Sequence, residues 1–419
     1  MEMVISENLK LLSSAFKECG STLYIVGGAV RNSIAGLDYS DIDICSNMLG
    51  DGVQGVCQKL GFDCKVVNQK LGTMLIMAGG EQYEYTPFRV ENYIRGNHSP
   101  EYVEWTDDIK TDARRRDFTC NAIYYDILSG QIVDFYGGVK DIHKRYIKAI
   151  ETPEFVFSSD GLRVLRLVRF SSTLGWKIDA HTFRVCKKMT YQLKYISGER
   201  KTSELKSIFT AHQKYGSQVN PIALLNKLKL YPLIVTLAGV PDKIDEKRYA
   251  NICKCDDVIG AFVCALILTK YPRPCSEAQL VYDVQSIISN LHCGGDVKDL
   301  SRLVSVMFDV RAGKIDVSTV SKFVSLKGES RDILKNLFGL DTLIDKEREY
   351  RHNNIPLKLD ELDIDNATLI KLVPQNQVSH MKNYLFGLCQ NGLVKNTLKD
   401  LTAYVEQMQE TLKAEHKSK

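Results

Sequence analysis

Tyr24-Ile-Val-Gly-Gly-Ala-Val-Arg-Asn-Ser-Ile-Ala-Gly-Leu-Asp-Tyr-Ser-Asp-Ile-Asp-Ile-Cys45 is the stretch from which the fold can be read. Tyr24, Ile25 and Val26 form a short apolar strand that breaks at Gly27-Gly28. Ala29 to Ala35 reads as a turn or two of helix, and Gly36 to Ser40 as a polar loop into a second strand carrying Asp41 and Asp43. On a strand, residues two apart share a face. Two carboxylates side by side repel unless a cation lies between them, and oxygen-only donors suit a hard ion such as Mg²⁺. Ile42 and Ile44 face the other way, into a core. The glycine pair lets backbone approach a phosphate, the helix start offers free N–H groups, and Arg31 adds a cation. Singly, a Gly-Gly is usually only a turn and a D-x-D a solvated strand edge. Together they point to phosphoryl or nucleotidyl transfer.

Outward from this stretch, residues 1–141 alternate strands and helices. Met48 to Leu60 reads as a helix ending at Gly61; Asp63 to Asn68, Thr73 to Met77 and Gln82 to Arg89 read as strands. Glu84, on the last of these, is a candidate third carboxylate. Val90 to Ala113 is a long polar connection, of the kind that is usually a lid or a disordered segment. Arg114-Arg115-Arg116-Asp117-Phe118-Thr119-Cys120-Asn121-Ala122 then runs from three arginines into an apolar stretch. From about Ile142 strand signals fade. In Asp160 to Phe170, Leu162, Leu165 and Val168 have core spacing, and Arg163, Arg166 and Arg169 form a stripe beside them. Asp160 and Arg163, three apart, are neighbours near a helix start. Further helices are expected over Pro221–Val235, Asp256–Lys270, Glu277–Leu291, Asp299–Val310 and Val317–Leu326. Val394, Leu398, Leu401, Val405, Met408 and Leu412 mark a last helix, too short for a coiled coil and expected to pack on its own domain.

These motifs, in this order, resemble the nucleotidyltransferase superfamily typified by DNA polymerase beta. G-G-A-V-R with D-I-D-I resembles its class II branch, the CCA-adding tRNA nucleotidyltransferases and bacterial poly(A) polymerases. The resemblance covers Tyr24 to about Phe209. It implies catalytic roles for Asp41, Asp43 and Glu84, with Asp41 and Asp43 as Mg²⁺ ligands. It implies phosphate binding at Gly27, Gly28 and Arg31, and ribose or nucleotide binding at Arg116, Asp117 and Asn121. Asp160 and Arg163, within a match to E-D-x-x-R, would read the base, and Arg166 and Arg169 would add nucleotide or tRNA contacts. Val90 to Ala113 corresponds to a full-length flexible loop that the family needs for the last A. Glu199, Arg200 and Glu204 resemble a closing motif that braces the neck, a structural role. Two positions depart: Asn32 stands where the family has Asp, and Ser159 where E-D-x-x-R has Glu.

The expected architecture is therefore α+β. A mixed head with an antiparallel-type sheet (1–141) is followed by an all-helical neck (142–210), body (211–310) and tail (311–419). The expected activity is template-independent addition of CCA to the tRNA 3′ end from CTP and ATP; an A-adding enzyme or a poly(A) polymerase is the alternative, and a non-catalytic RNA-binding relative a remoter one. Composition agrees. The net charge of the 419 residues is only +4, yet Glu151 to Val235 carries 14 basic against 6 acidic residues, a surface suited to a polyanion. The longest apolar run, Val258 to Thr269, is too short for a bilayer, and the N-terminus reads as an amphipathic helix, neither signal nor transit peptide. Twelve scattered cysteines without a CxxC pair fit a reducing cytoplasm better than a disulfide framework or zinc site.

Overall fold

The computed structural model describes residues 3–92, 102–210 and 219–417. The chain divides into two compact units, Met1–Thr236 and Leu237–Lys419.

The first unit opens with α1 (Glu7–Glu18). Ser6 caps it by accepting from the Leu9 amide, Glu7 and Lys17 complement its dipole, and Leu9, Leu12 and Phe16 are buried. β1 (Tyr24–Val26) leads through Gly27 into α2 (Gly28–Ala35), and β2 (Asp43–Ser46) returns antiparallel to β1. α3 (Gly50–Leu60) ends at Gly61, whose φ of 69° is left-handed. β3 (Asp63–Asn68), β4 (Thr73–Ala78) and β5 (Glu81–Pro87) form a meander, and β5 pairs in parallel with β2. With β8 (Tyr124–Asp126) and β9 (Ile132–Val133) the sheet has the order β3-β4-β5-β2-β1-β8-β9. The central strand β2 and its neighbour β1 therefore carry the stretch from which the fold was read.

Three expectations need correction. Asp41 lies before β2. The register Val26↔Asp43 would place Gly27 and Gly28 opposite Ile42 and Asp41, and that backbone has already turned into α2. The connection from Val90 to Ala113 is not all loop. β6 (Arg89–Asn92) pairs antiparallel with β7 (Tyr102–Trp105), and α4 (Ile109–Arg114) follows, capped by Asp108; residues 93–101 lie outside the described residues. The region after Ile142 also keeps strand: β10 (Tyr146–Ile147) pairs in parallel with β11 (Lys177–Ile178).

After α5 (Gly138–His143), helices dominate: α6 (Pro153–Ser159), α7 (Arg163–Leu174), α8 (Ala180–Met189) and α9 (Gly198–Phe209). α7 buries Val164, Leu165, Leu167 and Val168 and stops at left-handed Gly175. Within the expected helix Pro221–Val235, Lys229 adopts a left-handed φ of 54°, which splits it into Pro221–Leu228 and Tyr231–Ile234.

The second unit is helical among its described residues. Val258–Lys270 is buried on all sides from Val258 to Leu268, as its unbroken apolar sequence requires, and no described helix is long and apolar enough to cross a membrane. Glu277–Leu291, Val297–Arg311, Val317–Val324 and Gly328–Phe338 follow, the first three capped by Ser276, Asp296 and Asp316. Asp283, fully buried, accepts from Lys270 Nζ at 2.5 Å and Tyr271 Oη at 2.7 Å. The last helix, Leu398–Lys417, does pack within its own unit. Leu401 and Val405 join Leu369, Val378, Met381 and Leu385 in one cluster.

Candidate active site

A cavity of about 580 Å³ in the first unit gathers nearly every residue singled out from the sequence. Gly27, Gly28 and Arg31 enter it from the β1–α2 turn, and Asp41 and Asp43 from the approach to β2. Arg116, Asp117 and Asn121 come from the segment after α4, and Asp160, Arg163, Arg166 and Arg169 from the start and one face of α7. Glu84 is the exception. It is exposed and lies opposite Asp43 across the β2/β5 pairing, outside the cavity lining.

The glycine turn is demanded by backbone. Gly27 has φ 76°, a region L-residues rarely adopt, and it leads into α2, whose first residues Gly28 and Ala29 line the cavity. A Cβ built there would sit 3.7 Å from Asp43 Oδ2 and 3.9 Å from Arg116 Nη1, so the turn, a carboxylate and a guanidinium meet at one point. Asp43 keeps an open edge to solvent, yet the cavity walls desolvate it. Together with the charges of Glu84 and Asp41, and against the pull of Arg116, this lifts its pKa to about 6. Asp41 accepts from Ser40 Oγ at 3.2 Å.

The arginines are held by a continuous network. Arg31 donates through Nε and Nη2 to Asn32 Oδ1 at 3.0 and 2.8 Å, and through Nη1 to Asn121 Oδ1 at 2.6 Å. Asn32, at the first departing position, thus supplies a neutral acceptor, and its own Nδ2 donates to the Asp38 carbonyl. Asn121 Nδ2 donates to Asp117 Oδ1, and Arg166 Nε to Asp117 Oδ2 at 2.7 Å. Burial opposes the Asp117 charge, but Arg166 and Asn121 overcome it and hold the carboxyl well below the usual carboxylate range. Glu204, from α9, forms ion pairs with Arg169 at 2.9 Å and Arg166 at 3.8 Å.

Asp160 and Arg163 both line the cavity, each with its own support. Asp160 Oδ2 accepts from Arg200 Nη2 at 2.7 Å and Oδ1 from the Leu162 amide. Arg163 Nη1 donates to the Val156 carbonyl and to Ser159 Oγ at 2.7 Å, and Nη2 to the Arg115 carbonyl. Ser159, the second departing position, therefore braces Arg163, while Arg200 braces Asp160.

Two residues read from sequence only as bracing the neck meet the site: Arg200 lines the cavity, and Glu204 pairs with two of its arginines. One contributor escaped the sequence reading altogether. Asp112 is fully buried and accepts from Arg115 Nε, Arg116 Nη2, Tyr124 Oη and the Arg89 amide. Burial opposes its charge too, but Arg115 and Arg116 outweigh it and hold Asp112 at about 2. A buried carboxylate three and four residues before two arginines was the available signal. Among the described residues no three His, Cys, Asp or Glu side chains cluster as a metal site.

Residues 23–148 match the family model of the poly A polymerase head domain. The CCA-adding enzyme of Bacillus subtilis (strain 168) is 27% identical over 376 residues, 89% of each chain. That of Ligilactobacillus salivarius (strain UCC118) is 36% identical over 184 residues, 44% of each, so this alignment spans less than half of that relative's length. Among solved structures, the Bacillus stearothermophilus CCA-adding enzyme in complex with CTP superimposes with a TM-score of 0.66 at 21% identity, covering 98% of this chain and 100% of that one. The Thermotoga maritima CCA-adding enzyme complexed with tRNA gives 0.62 at 16% identity, covering 96% of each. These two likenesses concern the fold: a mixed head followed by helices.

Proposed function

From the premise that the chain belongs, through residues 23–148, to the poly A polymerase head family, we propose that it adds or repairs the 3′-terminal CCA of tRNA without a nucleic-acid template. CMP and AMP pass from CTP and ATP to the tRNA 3′-hydroxyl, and pyrophosphate leaves. One observation carries the reading: the glycine turn, the Asp41/Asp43 pair, the arginine stripe and the Asp160/Arg163 pair converge on one cavity. The names of the relatives, and the CTP and tRNA bound in the Bacillus stearothermophilus and Thermotoga maritima structures of like fold, support CTP and tRNA as substrates.

The residues divide the work. Gly27, Gly28 and the start of α2 receive phosphate oxygens on backbone N–H groups, and Arg31 adds charge. Arg116, Asp117 and Asn121 hold the ribose. A carboxylate has about four lone-pair sites; Asp117 Oδ1 already accepts from the Phe118 amide and Asn121 and Oδ2 from Arg166, so a 2′-hydroxyl would take the remaining site on Oδ2. Asp160 accepts from the exocyclic amine shared by C and A, and Arg163 donates to the neighbouring ring nitrogen; U and G present the opposite pattern to both groups. Arg166 and Arg169 contribute further nucleotide or tRNA contacts.

A divalent cation fits Asp41 and Asp43. The donors are oxygen only, and Asp43 is driven toward protonation first by desolvation and then by the charges of Glu84 and Asp41, which a cation would offset. Mg²⁺ is the ion we assign, with Glu84 supporting the pair from β5; when bound it activates the attacking hydroxyl and neutralises the leaving group. We assign residues 1–141 to the head, 142–210 to the neck, 211–310 to the body and 311–419 to the tail; apart from the short β10/β11 pair in the neck, the described residues after 141 are helical or connecting, and the compact-unit boundary at Thr236 falls within the assigned body. Twelve free thiols suit the reducing cytoplasm. The test is incorporation of labelled CMP into tRNA lacking its 3′ end. Transfer with CTP supports the reading, and incorporation of AMP alone, at any tRNA end, overturns it.

A further inference from the structure

Three guanidinium groups share the cavity wall at α2 and α7, and like charges so placed repel. Acidic partners answer part of this, Asp117 for Arg166 and Glu204 for Arg169. Arg31 is gripped by the amide oxygens of Asn32 and Asn121, which carry no charge. A second kind of partner lies at their centre. The Phe170 ring is buried at the cavity edge, with the Arg31, Arg166 and Arg169 guanidinium carbons 5.2, 5.2 and 4.5 Å from its centroid. All three are within the range of cation–π attraction. The ring is itself fixed edge-on by Phe118, centroids 5.9 Å apart and planes at 84°.

An aromatic face attracts a cation without consuming its N–H donors and without neutralising it. A carboxylate at the same place would do both, and a phosphate arriving later would have to compete with it. We propose that Phe170 is a positioning residue that gathers Arg31, Arg166 and Arg169 into one cationic grip for the nucleotide's phosphates, adding attraction to that of Asp117 and Glu204 without taking up further N–H donors or adding negative charge. The inference rests on the reading of this cavity as a nucleotide site. Phe170 acts on the substrate through the arginines, so its loss falls on binding more than on the transfer step.

The experiment uses the full chain with CTP as the probe. F170L keeps most of the apolar bulk and removes the π-face; F170Y keeps both. F170L raises the Kd for CTP about tenfold, the loss of roughly one desolvated cation–π contact. Its kcat at saturating CTP stays within about threefold of wild type, and F170Y restores Kd to within about twofold. CTP binding by F170L equal to wild type overturns the proposal. So does an F170Y as weak as F170L, since a π-face would then not be what matters. An F170L that fails to fold also overturns it, because an apolar side chain of similar bulk should satisfy packing. If the wild-type chain itself does not bind CTP, the nucleotide reading falls and this inference with it; normal wild-type binding with an unaltered F170L defeats this inference alone.

Discussion

Replacing Asp112 by Asn keeps the side chain's shape and removes its charge. The carboxylate accepts from four donors, two of them on Arg115 and Arg116. Its pKa is held at about 2, against an ordinary 3.8. At about 1.4 kcal/mol per pKa unit, that preference for the charged form is worth roughly 2 kcal/mol to the native state. Asn also turns an N–H toward groups that are already donors, so the full loss at pH 7 is roughly 2–4 kcal/mol. The sign follows from the depressed pKa. The contribution is complete above the unfolded carboxyl's pKa near 4 and disappears as pH falls toward 2. Denaturant unfolding of both proteins from pH 7 to pH 3 therefore shows a gap that shrinks by about 1 kcal/mol by pH 3, the titrating part of the loss. A D112N protein within about 0.5 kcal/mol of wild type at pH 7, or a gap unchanged at pH 3, refutes the reasoning.

Other substitutions address the proposed chemistry. D41N and D43N each abolish CMP transfer while tRNA affinity, measured by gel shift, stays within about threefold; near-normal turnover in either removes the metal assignment. D160A and R163A each lower use of CTP and ATP far more than of UTP and GTP, by a discrimination of about 1–3 kcal/mol in kcat/KM. Unchanged selectivity in both rules the pair out as the base reader.

The centre of the fold was legible because local chemistry decides it. Gly27 needs a positive φ, Tyr24 to Val26 can only be a short buried strand, and Ile44 alternates with Asp43, so β1, α2 and β2 follow from sequence alone. Glu277–Leu291 likewise matches its apolar period from end to end. Where tertiary partners decide, the sequence names residues but not whom they meet. Arg200 meets Asp160 from forty residues away, and Glu204 reaches Arg166 and Arg169 across from another helix. The strands β10 and β11, two residues each, are too short to display a period. Asp41 fell outside β2 because its would-be partner on β1 had already turned into α2, so the shared strand face expected for Asp41 and Asp43 does not form. The departures at Asn32 and Ser159 acquired meaning only when both were seen to face arginines.

The central claim is that one cavity takes C and then A in a fixed order and number. The most direct measurement supplies a tRNA ending at the nucleotide before the CCA, first with CTP alone and then with ATP added, and sequences the 3′ ends. The account predicts a stop after two C residues with CTP alone, then one A and no more once ATP is present. Extension by ATP alone from the trimmed end, or runs of A beyond the first, contradicts it.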